Sequence, residues 1–137
     1  MTGSVRLAVF LAAGTAALAC AALAGGAAVA QTAGDYGAIA STKSQYRMEY
    51  GTAFGQSRAS DAIDAAIADC EMRAGMRGVC EKHIAFRNRC AAVALGDDHT
   101  GAAQQGVSRA AAERLAVALC QADSARSCKI VKSFCSG

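Results

Sequence analysis

The chain has 137 residues, Lys+Arg 14 against Asp+Glu 11, seven cysteines, no proline and no tryptophan. That length limits it to one small domain, and the near balance of charge excludes a polybasic nucleic-acid binder. Hydrophobic residues reach 53%, but alanine is by far the largest part of them, so the core is thin and needs another source of stability.

The first predicted element is an export signal over residues 1–30. Arg6 precedes an apolar run from Leu7 to Ala24, and Ala28-Val29-Ala30 puts small residues where signal peptidase requires them. A run this long can just span a bilayer, but Gly25-Gly26 and the small-residue site end it as cleavage demands. Cleavage after Ala30 removes Cys20 and leaves six cysteines in an exported chain, secreted or periplasmic, with no stable membrane insertion. Residues 31–35 read as a short linker and 36–137 as a single domain.

Strands are predicted at Tyr36 to Ser41 and Arg47 to Phe54, with Lys43-Ser44-Gln45 as the turn. A helix follows, because Ala59, Ala62, Ile63, Ala66, Ile67 and Cys70 recur on one face, with Ser57 as the expected N-cap. Gly75 to Gly78 forms a loop. Next, Ile84, Phe86, Asn88, Cys90, Ala92 and Ala94 alternate with their neighbours, as one long strand or two consecutive strands would. Gly96-Asp97-Asp98 turns the chain into a strand at Gly101 to Gly106. A second helix carries Ser108 as cap and Ala112, Leu115, Ala116, Leu119 and Cys120 as its buried stripe, and a last strand runs from Lys129 to Phe134.

The cysteines Cys70, Cys80, Cys90, Cys120, Cys128 and Cys135 contain no pair separated by two residues, which argues against a thioredoxin-like redox motif or a zinc knuckle. In an exported chain they read as three disulfides, although spacing alone does not choose the pairing. An internal duplication narrows the choice. Ser57-Arg58-Ala59 leads to Cys70 as Ser108-Arg109-Ala110 leads to Cys120, and Gly37-Ala38-Ile39-Ala40 matches Ala91-Ala92-Val93-Ala94. Equivalent copies would pair Cys70 with Cys80 and Cys120 with Cys128, leaving Cys90 and Cys135 to join across the pseudo-symmetric centre. The expected fold is α+β: two degenerate β-β-α-β repeats forming one antiparallel sheet covered by two helices, stapled by disulfides.

These segments, together with Phe86-Arg87-Asn88, Gly96-Asp97-Asp98, Ser108 to Glu113 and Cys128-Lys129-Ile130-Val131, resemble the bacterial family known as domain of unknown function 4189. The resemblance covers residues 36–135 and implies a small, exported, cysteine-containing protein. It supplies no catalytic residue.

Candidate chemistry is sparse. His99 beside Asp97 and Asp98 could form a general-base pair, but neighbours in a turn seldom face one another. His83, Arg87 and Arg89 are expected to share an exposed strand face, where paired arginines can grip carboxylate or phosphate, aided by Tyr46 and Tyr50. No metal and no cofactor is expected. The leading expectation is a non-enzymatic binding module for an unknown protein or envelope component. The alternatives are a small secreted hydrolase using His99 with Asp97 or Asp98, and a cell-wall-associated structural protein.

Overall fold

The computed structural model describes residues 34–43, 47–123 and 127–137. The expected export segment with its expected cleavage point after Ala30, Ser44 and Gln45 of the first expected turn, and Tyr46 lie outside the described residues. In chain order the elements are β1 (Tyr36–Thr42), β2 (Tyr50–Gln56), α1 (Ala59–Ala74), β3 (Cys80–Arg87), β4 (Arg89–Leu95), β5 (Gly101–Gly106), α2 (Arg109–Ala122) and β6 (Lys129–Ser136). Each half of the chain is therefore β-β-α-β. The strand orders are β2-β1-β3 and β5-β4-β6, all antiparallel, so the two copies share one topology.

The α+β class and the paired repeats are as the sequence indicates, but the single sheet expected is two three-stranded sheets. The cause lies at Asn88, whose φ of 49° puts it in the left-handed region that asparagine tolerates better than most residues. The long alternating segment breaks there. Phe86 before the break joins the seam between the sheets, whereas Cys90, Ala92 and Ala94 after it face α2.

Three apolar clusters define a helix, sheet, sheet, helix stack. Ala38, Ala40 and Ala53 pack on Ala62, Ala66 and Cys70 of α1; Cys90, Ala92, Ala94 and Ala102 pack on Ala112, Ala116 and Cys120 of α2. Ile39, Phe86, Ala91, Val93, Ala103 and Phe134 fill the seam. The central strands are thus covered on both faces, and residues 37–41 and 90–94 are buried without interruption. Small side chains let the helices sit close: a Cβ at Gly51 would collide with the α1 backbone at Ala66 and Cys70. Leu115, expected in the α2 stripe, is 50% exposed, because the helix presents only Ala112, Ala116 and Cys120 to its sheet as fully buried groups.

The helix starts also differ from expectation. Ser108 caps α2, its hydroxyl accepting from Ala111 N at 3.2 Å, but the N-cap of α1 is Arg58, which makes no side-chain cap bond. Ser57 falls one residue too early. The buried residues of the two helices repeat at one constant spacing, and the two serines are one residue further apart than that. The extra residue is absorbed near Gly55, at φ 66°, where the β1–β2 register shifts and the β4–β5 register does not.

The disulfides are Cys70–Cys80, Cys120–Cys128 and Cys90–Cys135. The first two tie each helix end to the strand that follows. The third does not cross the pseudo-symmetric centre; it joins directly opposed residues of neighbouring strands β4 and β6. At the equivalent step of the first copy stand Tyr36 and Arg87, with the guanidinium 5.3 Å from the ring centroid. One copy closes this position covalently and the other by a cation–π contact. Bridges of this kind contribute about 2 to 4 kcal/mol each, a large share of the roughly 5 to 15 kcal/mol of a small domain.

Candidate functional site

The strand pairing decides which of the expected surface residues meet. Tyr36 lies opposite Arg87 at one end of β1, while Ser41, at the other end, lies between Tyr50 on β2 and Glu81 on β3. At about 3.3 Å per residue those ends are roughly 16 Å apart. The structure therefore divides the expected patch: Arg87 and Arg89 belong to one end, and His83 and Tyr50 to the other.

The arginine end is occupied with its own structure. Arg87 Nη2 is 3.3 Å from Asp35 Oδ2, and the backbone carbonyl of Asp35 accepts from Asn88 N at 3.0 Å. Asp35 and Gly34 are thereby tied into the fold, with Ser136 Oγ donating to the Gly34 carbonyl at 3.4 Å. Arg89 opens β4 opposite Ser136 and is exposed. Its neighbour across the break is thus already paired, and the two arginines do not form a free anion clamp.

At the other end a β-bulge sets the geometry. Ile39 faces Ile84 and Ala40 faces Lys82, so His83 is the extra residue of β3. Bulges re-aim side chains, and here the imidazole Nδ1 lies 3.2 Å from the Ser41 hydroxyl oxygen. Ser41 is 7% exposed and His83 is exposed. Both line a groove of about 600 Å³ with Thr42, Lys43, Met48 and Glu81 from the first copy and Thr100, Gly101 and Asp123 from the second. Tyr50 lies beside this end, its ring 5.4 Å from the Arg73 guanidinium carbon.

Internal symmetry marks this groove as a departure. The β4–β6 pairing has the same bulge, with Val93 facing Lys132 and Ala94 facing Ile130, which makes Val131 the counterpart of His83. Leu95, one step beyond Ala94 as Ser41 is one step beyond Ala40, is the counterpart of Ser41. The second copy thus places Leu and Val where the first places Ser and His. Ser41 was absent from the candidates read from the sequence. Extending the match of Gly37–Ala40 with Ala91–Ala94 by a single residue would have exposed it.

The turn around His99 does not assemble a catalytic pair. Asp98 Oδ1 accepts from the Thr100 hydroxyl at 2.7 Å and from Thr100 N at 3.0 Å, and these bonds hold its carboxyl below the usual range. Among the described residues no hydrogen bond joins His99 to Asp97 or Asp98. His99 sits at φ 60°, and its carbonyl accepts from Met48 N at 2.8 Å, which fastens this turn of the second copy against the first. Among the described residues no group of three or more His, Cys, Asp or Glu side chains could hold a metal ion.

No curated protein and no solved structure matches the chain. The pattern of the Domain of unknown function (DUF4189) matches residues 36–135, the span that holds both copies, and the chain belongs to that family.

Proposed function

We propose that this protein is an exported recognition module that binds a macromolecule of the cell envelope or its surroundings through the groove around Ser41 and His83. The observation that carries the reading is the groove itself: both copies build it, and it is polar where internal symmetry calls for apolar residues. Sites of this kind favour the junction between structural units. Lys43, Glu81 and Asp123 give it both signs of charge, which suits a polar partner more than an apolar one. Export is supported by the apolar segment ending at Ala28-Val29-Ala30 and by three disulfides, which persist in oxidising compartments. Among the described residues no helix is long and apolar enough to cross a membrane.

Capture from envelope extracts tests the reading. Replacing His83 with Ala weakens retention of the specific partner, while replacing Arg87 and Arg89 together leaves it intact. The reverse pattern would move the contact to the arginine end and reject the groove.

A further inference from the structure

The groove holds more than recognition requires, because its floor pairs a hydroxyl with an imidazole. From this geometry we propose that Ser41 is a nucleophile and His83 its general base, acting on small carboxylic esters whose alcohol portion is polar or charged. The inference rests on the groove being the working site of the protein. Nucleophilic serine needs a base within hydrogen-bond reach, and Ser41 Oγ and His83 Nδ1 stand 3.2 Å apart in a solvent-open groove. The pair is set on adjacent strands: β1 is buried on both faces, which fixes the serine, while the bulge in the exposed part of β3 turns the histidine toward it.

A structural role alone does not account for the pair. The second copy reaches the same backbone, bulge included, with Leu95 and Val131, so the fold does not depend on a hydroxyl or an imidazole here. Low exposure of Ser41 restricts attack to a slim acyl group, and Lys43, Glu81 and Asp123 line the walls that would meet a polar alcohol.

The reaction balances with water as co-reactant. Ser41 Oγ attacks the ester carbonyl carbon as its proton passes to His83 Nδ1. The carbon–oxygen bond to the alcohol then breaks, and the departing oxygen takes that proton. Water attacks the acyl-serine, giving one proton to His83; the serine carbon–oxygen bond then breaks, Ser41 Oγ takes that proton back from His83, and the acid is released. Among the described residues that line this groove Lys43 is the one lysine or arginine, and its ammonium is the cation assigned to the oxyanion.

A fluorophosphonate probe with the purified oxidised protein tests the assignment, with the adduct mapped by peptide mass spectrometry. One phosphonyl group on Ser41 is expected, absent in Ser41→Ala, and its rate falls by about 100-fold in His83→Ala, as loss of a general base implies. Ser133→Ala, which removes a hydroxyl already bonded to Glu113 at 2.6 Å, labels like the parent. No adduct on Ser41, or labelling of Ser41 at an unchanged rate in His83→Ala, overturns the proposal. Retention of the envelope partner by an unlabelled protein would reject the nucleophile alone and leave the recognition site standing.

Discussion

Asp98 shows how a residue suggested for chemistry is spent on structure. Its carboxylate takes two hydrogen bonds from Thr100 and closes the turn between β4 and β5, so the ionised form is the one the fold favours. A depressed folded-state pKa contributes stability that is fully present above the ordinary value of 3.8 and is lost as pH falls through the folded-state value. Denaturation of the parent and of Asp98→Asn should therefore differ most at neutral pH and converge in acid below that range. A difference that stayed constant across the acid range would show that the charge of Asp98 has no part in the turn. Ser41 and His83 make the opposite case, polar residues at positions whose counterparts show that the backbone does not need them.

At the scale of elements, the helices and most strands were legible because their signals are local. Alanines and cysteines on one face gave both helices, and Gly101 to Gly106 was found at its observed bounds. The cap of α1 was misplaced because Ser57-Arg58-Ala59 imitates Ser108-Arg109-Ala110 one residue out of register, an offset set by a bulge in β2 that no local pattern announces. This error has a measurable consequence. Arg58 has the extended backbone of an N-cap, φ −137° and ψ 146°, without a capping side chain. Arg58→Ser should stabilise the protein by about 1 kcal/mol in chemical denaturation, since Ser supplies the missing acceptor. No gain, or a loss, would mean that the first turn of α1 is not limited by its cap. The candidate groove is less legible than the helices. His83 and Tyr50 could be singled out as surface residues, but their separation from Arg87 and Arg89 depends on pairing between strands distant in sequence.

For the whole molecule, the duplication is the key to stability and is the basis of the proposed function. Two copies with thin, alanine-rich faces cover each other across a seam of Ile39, Val93, Phe86 and Phe134, so each sheet gains a second apolar face that neither copy has alone. The two copies are legible in the sequence but the division of their sheets is not, because β3 and β4 follow each other with only Asn88 between them. Once the sheets are separated, the two halves become internal controls for one another. Shared features such as the bulges, the helix-end disulfides and the buried alanines belong to the fold; differences such as Ser41 against Leu95 and His83 against Val131 mark the positions to which we assign the proposed function. The direct test gives the first copy the residues of the second, in the double variant Ser41→Leu with His83→Val, and titrates it calorimetrically against the partner recovered by the parent protein. An intact circular dichroism spectrum, all three disulfides and loss of binding are expected; a variant that folds and binds with unchanged affinity would rule out a binding role for Ser41 and His83.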